Sequence, residues 1–146
     1  MTQEEKDLLL QDLCARLPYG VKILQDGVII ETLFSIEKDA IGYVVNAIHT
    51  GTSADILSTR LENCKPFLRP MSSMTKEEKK EMTKGSLLAF KAASNDDIKG
   101  YCPETLAYSA FNVDYCLSHH FDFHGLIERG LALEAKEDTY IKTKEE

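Results

Sequence analysis

The sequence predicts an α+β fold: a small antiparallel β-meander of three to four strands, packed with an N-terminal helix and two further helical segments. Three observations predict it. Thr2 with Glu5 and Thr75 with Glu78 are capping-box patterns, each placed before a helix-forming run. Between those two starts, apolar residues recur at period two around Asp26-Gly27, a strong hairpin turn. The stretch 104–135 returns to helical spacing and ends in a glycine-punctuated apolar tail.

The first capping box opens a helix through about Leu17, where Pro18-Tyr19-Gly20 stops it. Leu9, Leu10, Cys14 and Leu17, with Leu13 between, form its apolar side, and Leu8 lies off it. That side faces the core, a dimer face being the alternative. Val21–Leu24 then reads as a short strand and Val28–Ile36 as a longer one, with Val28, Ile30, Thr32, Phe34 and Ile36 on one face. Ile41–Ile48 supplies a third strand, and His49–Ser53 a loop. Ile56–Leu61 fits either a fourth strand or a short helix capped by Ser53 or Asp55. Lys65–Pro70 reads as a stiff connector from sheet to helix, because each proline drives its predecessor toward extended geometry.

The second capping box starts a helix through Lys84 at least; Gly85 interrupts it, and Leu87, Leu88 and Phe90 continue it in shifted phase. KEEKKEMTK is polar all round except Met82, the pattern of a solvated surface. Ser94–Gly100 is loop-like. Pro103 and Glu104 fit a helix start, and Leu106, Ala110, Val113, Leu117 and Phe121 follow along one side. An N-cap at Asn112 would instead begin a shorter helix. Gly125 and Gly130 bracket one turn leading into Leu131–Leu133 as an extended, packed segment, and the charged stretch 136–146 reads as a frayed tail.

At 146 residues the chain is one domain, 1–146, able to bury roughly 70% of its unfolded surface. A formal net charge of -7 argues against tracking phosphates, since nucleic-acid binders gain affinity from clustered cations. Lys65 and Arg69 are candidate contacts for an anion, and an ordinary solvated pair is the plainer reading. Cys14, Cys64, Cys102 and Cys116 show no CxxC spacing, which removes a zinc ribbon or thioredoxin-type motif. The N-terminus lacks a signal-peptide layout, and no run approaches membrane-spanning length. A cytoplasmic location with reduced thiols, no membrane partner and no cofactor is the expectation.

One run gathers groups able to do chemistry: His119-His120-Phe121-Asp122-Phe123-His124. Were the helix to continue, His120 and His124 would share a face at i, i+4, with Asp122 as a third metal ligand. His119 or His120 with Asp122 would alternatively form an acid–base pair. Against both, Gly125 and the aromatic alternation mark a helix end, and Asp122 suits backbone N–H groups at the turn 123–126. Ser118 adjoins the histidines, but neighbouring residues on a helix diverge by about 100°. No GxSxG or HExxH motif occurs.

Two segments resemble a known family. Lys65-Pro66-Phe67-Leu68-Arg69-Pro70-Met71-Ser72-Ser73-Met74-Thr75 is similar to a KPYLRPxSSMT pattern. His119-His120-Phe121-Asp122 with Gly125-Leu126-Ile127, and Gly130-Leu131-Ala132-Leu133-Glu134-Ala135, resemble HHFDYRGLI…GLALEA. Both patterns belong to short proteins of gut Bacteroides-type bacteria, often encoded among prophage or mobile-element genes. The opening helix with Leu17–Val21 is similar as well, whereas 36–60 and 85–112 do not match. The resemblance implies no activity. His124 stands where the pattern has arginine, so a metal site using it would not be a family property. The expected role is a non-catalytic accessory protein of a mobile element that binds another protein. A small metal-dependent or acid–base enzyme at His119, His120 and Asp122 is the rival, nucleic-acid contact through Lys65, Arg69 and the lysines after Met74 is a third reading, and self-association stays open.

Overall fold

The computed structural model describes residues 1–27, 29–48, 56–92, 103–137 and 139–140. These form the expected α+β arrangement, three helices with one mostly antiparallel sheet of six strands, four of which make the meander. Val28, His49–Asp55, Ser94–Gly100, Cys102 and 141–146, all read above from the sequence, lie outside the described residues.

Helix α1 (Gln3–Arg16) opens on its capping box: Thr2 Oγ1 accepts from the Glu5 amide at 3.1 Å, and the Glu5 carboxylate accepts from the Thr2 amide at 3.0 Å. Its buried side differs from the expected one. Leu9, Asp12, Leu13 and Arg16 are buried, while Cys14 is exposed. The helical period is right and the phase is turned, because a paired Asp and Arg occupy positions that hydropathy assigns to solvent.

Strands β1 (Lys22–Gln25) and β2 (Ile29–Lys38) form a hairpin in which Gln25 pairs with Ile29, and Asp26 and Gly27 in its loop take positive φ values of 51° and 71°. Strands β3 (Tyr43–Ile48) and β4 (Ile56–Arg60) extend the meander, settling the ambiguous fourth segment as a strand. A register shift between Leu33 and Ser35 overturns the expected face of β2. Leu33 is buried and Ile36 packs against the same core, whereas Ile30 and Phe34 point outward. The bulge adds one residue and so reverses the alternation beyond it.

The supposed connector is also corrected. Strand β5 (Cys64–Leu68) pairs antiparallel with β1, Pro66 opposite Ile23, and parallel with β6 (Leu133–Glu134), which begins opposite Phe67. Proline geometry is extended geometry, and β6 starts one residue past Pro66, so the missing N–H sits where that neighbour has not begun.

The strand order is β4-β3-β2-β1-β5-β6. Gln25 Nε2 donates to the Leu57 carbonyl at 3.3 Å and Thr59 Oγ1 donates to Asp26 at 3.0 Å, joining β1 to β4 across two intervening strands. The sheet therefore curls into a trough. Leu9 and Leu13 of α1 fill it against Val21, Ile23, Leu33, Val45, Ala47, Leu61, Cys64 and Leu68.

Helix α2 (Lys76–Ala92) has the second capping box, Thr75 with Glu78, and runs unbroken through Gly85. A Cβ at Gly85 would overlap the ring of Phe111, so glycine lets helix α3 (Pro103–Ser118) approach closely. Helix α3 is continuous past Asn112, and its expected stripe is only partly right. Ala110 and Val113 are exposed, while Tyr115 and Cys116 form a second core with Met74 and Phe121, joined by Phe111 and Met82. Tyr140 corrects the frayed tail, since its hydroxyl donates to the Phe67 carbonyl at 2.6 Å and accepts from the Lys22 amide at 2.9 Å. Among the described residues, no helix is long and apolar enough to cross a membrane.

Candidate functional site

The histidine–aspartate run lies where the two cores meet. Helix α3 ends in a Schellman turn: the Phe121 amide donates to the Cys116 carbonyl at 2.8 Å, and the His120 amide to the Leu117 carbonyl at 3.2 Å. His120 takes the left-handed position, φ 63°, which glycine usually fills. Its imidazole stacks on Tyr140, centroids 3.7 Å apart and planes 13° off parallel. That contact over-determines a backbone conformation costly for a side-chain-bearing residue. Burial, then the charge of Arg16, holds the His120 imidazole down to about 4, so it is neutral at neutral pH.

Phe121 is fully buried and held from three directions. It bridges Arg69, the residue after β5, in parallel, the Arg69 amide donating to the His120 carbonyl and the Asp122 amide to the Arg69 carbonyl, both at 2.8 Å. The Arg69 guanidinium lies 4.1 Å from the centroid of its ring. From α1, Arg16 Nη2 donates to the Phe121 carbonyl at 2.7 Å.

Arg16 and Asp12, one helical turn apart and both fully buried, form a two-point pair at 2.7 and 3.1 Å. Asp12 is also reached from outside α1 by His124, whose Nδ1 donates to Oδ1 at 2.8 Å. Asp122 accepts from the amides of Leu126 and Ile127 at 2.8 and 2.9 Å. A carboxylate thus caps the turn after the run, in the role that its place before Gly125 suggests.

The sequence candidates separate. His120 and His124 do not share a helical face, because α3 stops at Ser118; their rings go to Tyr140 and Asp12. His119 stacks on Tyr115 at 4.0 Å, and its Nδ1 lies 3.0 Å from the Tyr115 carbonyl. Ser118 corrects the expected divergence, with Oγ 3.0 Å from His119 Nδ1. The Tyr115 carbonyl can only accept, so Nδ1 carries the proton in that contact and is no base toward Ser118. His119, Asp122 and the ring of His120 thus go to different partners: the Tyr115 carbonyl, the amides of Leu126 and Ile127, and the Tyr140 ring. His120 Nδ1 is buried without a hydrogen-bond partner among the described residues. Lys65 and Arg69 also part. Lys65 is exposed beside a hollow of about 500 Å³ near Leu24 and Glu62, whereas Arg69 is bound two-point to Glu78 at 2.7 and 2.8 Å. That pairing holds the Glu78 carboxyl down to about 2.

Sequence reading missed Asp12, Arg16 and Tyr140. A signal existed for the first two: opposite charges at i, i+4, in phase with Leu9 and Leu13. Tyr140 had none, being remote in sequence from all three of its partners, Lys22, Phe67 and His120. The three described thiols are unactivated, with burial pushing Cys64 up to about 12 and raising Cys14 and Cys116. Comparison of the chain with protein-family models, with curated proteins and with solved structures finds no match.

Proposed function

We propose that the chain is a non-catalytic protein-interaction module, working in the cytoplasm as an accessory of a prophage or mobile element. The setting rests on the resemblance of the 65–75 and 119–135 segments. The interaction reading rests on one observation: the outer face of the curled sheet carries Ile30, Phe34 and Ile56, each about half exposed at 52%, 52% and 51%. The register joins them, since Thr32, Ile48 and Ile56 form one row across β2, β3 and β4, flanked along β2 by Ile30 and Phe34. Large apolar side chains grouped on an open sheet face mark protein contact more often than solvent exposure alone would. The histidine–aspartate run supports the same reading, because its side chains are engaged in holding α3, α1 and the turn at Gly125.

The test is affinity capture from a Bacteroides-type host, comparing wild type with an Ile30→Asp/Phe34→Asp variant whose circular dichroism matches it. The reading expects a specific protein held by wild type and lost from the variant. Recovery of the same proteins by both, or self-association alone, would sink it.

A further inference from the structure

Helix α2 is segregated by charge around its circumference. Glu78 turns inward to Arg69, and Glu81 accepts from the Tyr115 hydroxyl at 2.9 Å. Gly85 and the buried Ser86 face α3 and the second core. The opposite side carries Lys76, Lys80, Lys84 and Lys91, recurring at intervals of four, four and seven, with Lys79 at its margin. All five lysines are exposed, and no ion pair holds any of them among the described residues. Glu77 is the one exposed acid beside them that makes no such inward bond. On the same side Leu87 and Leu88 are 48% and 59% exposed, and Lys79, Lys80, Thr83, Lys84 and Leu87 line a shallow hollow of about 420 Å³. Five of the 17 basic residues of an acidic chain thus lie on one helix, facing away from its packing side.

We infer that this face of α2 docks an acidic, leucine-bearing amphipathic segment of a partner protein. The lysines supply complementarity to carboxylates, and their aliphatic stems with Leu87 and Leu88 supply apolar contact at helical spacing. Nucleic acid fits less well. The described side chains of this face include no arginine to grip phosphate or guanine two-point. The chain's net charge of -7 also repels a long polyanion that extends past the helix. This docking surface stands on the second core and does not depend on the outer sheet face proposed above.

The probe is a fluorescent helical peptide of roughly five turns, with leucines at i, i+3 and i+4 on a glutamate background. Its anisotropy is titrated with the full chain at low and high salt. Binding should weaken at least about tenfold with Lys80→Glu/Lys84→Glu and several-fold with Leu87→Ser, while circular dichroism stays unchanged. The Ile30→Asp/Phe34→Asp variant should bind the peptide as wild type does, so failure here and failure of the sheet-face reading are distinguishable. No binding at low salt, or undiminished binding by the lysine-reversed variant, overturns the inference. So does tighter binding of a poly-dT oligonucleotide, or of phosphatidylserine vesicles, than of the peptide.

Discussion

Asp12 shows how one acid can serve two parts of a fold. It neutralises Arg16 within α1 and receives His124 from the far side of the run. Replacing it with Asn leaves the buried Arg16 charge unpaired, and urea denaturation of Asp12→Asn should show a loss of about 3–5 kcal/mol. His124 is partly exposed; His124→Arg keeps a donor against Asp12 and should shift stability by less than about 1 kcal/mol. His120 adds a pH dependence. Its folded value, about 4, lies below the ordinary 6.5, so the unfolded chain takes up the proton first as pH falls. The stability it contributes is complete above about 6.5 and is lost between there and about 4. Arg16, His119, Arg69 and Lys22 all disfavour the imidazolium, after burial itself. Urea midpoints at pH 7 and pH 5 should therefore converge in His120→Asn, which tolerates the left-handed backbone and does not titrate.

Helices α2 and α3 meet through Gly85 and Phe111. Alanine would favour an isolated helix by about 1 kcal/mol, yet Gly85→Ala should destabilise the protein by about 1–3 kcal/mol, because the new methyl group displaces the ring. Adding Phe111→Leu should recover part of that loss, and the non-additivity in thermal melts measures the contact. The elements that were legible before any coordinates are those whose signals are local. Thr2 and Thr75 cap helices through partners three residues away, and Asp26-Gly27 supplies the positive-φ residues of the hairpin loop between β1 and β2. The rest depended on distance. The bulge at Phe34 reverses a strand's faces without any marker in its composition. The Lys65–Leu68 segment becomes a strand only because β1 and β6 arrive on either side. In the run near His120 the end of α3 was readable from Gly125, but the partners of its histidines come from Asp12, Tyr115 and Tyr140.

Across the molecule, residues 119–127 fasten two cores together: α1 grips them through Arg16 and Asp12, the end of β5 through the adjoining Arg69, and the C-terminal segment through Tyr140. Removing one anchor should loosen both cores together, so Tyr140→Ala should lower the midpoint of a single cooperative transition seen by far- and near-ultraviolet circular dichroism. A structural clamp and a reactive site respond oppositely to mutation. Groups held for chemistry tend to strain the fold, and replacing them leaves stability unchanged or raised. The decisive measurement is the urea unfolding free energy of Asp122→Ala, which strips the acceptor from the amides of Leu126 and Ile127. A clamp predicts a loss of about 2–3 kcal/mol; stability equal to or above that of wild type would contradict it.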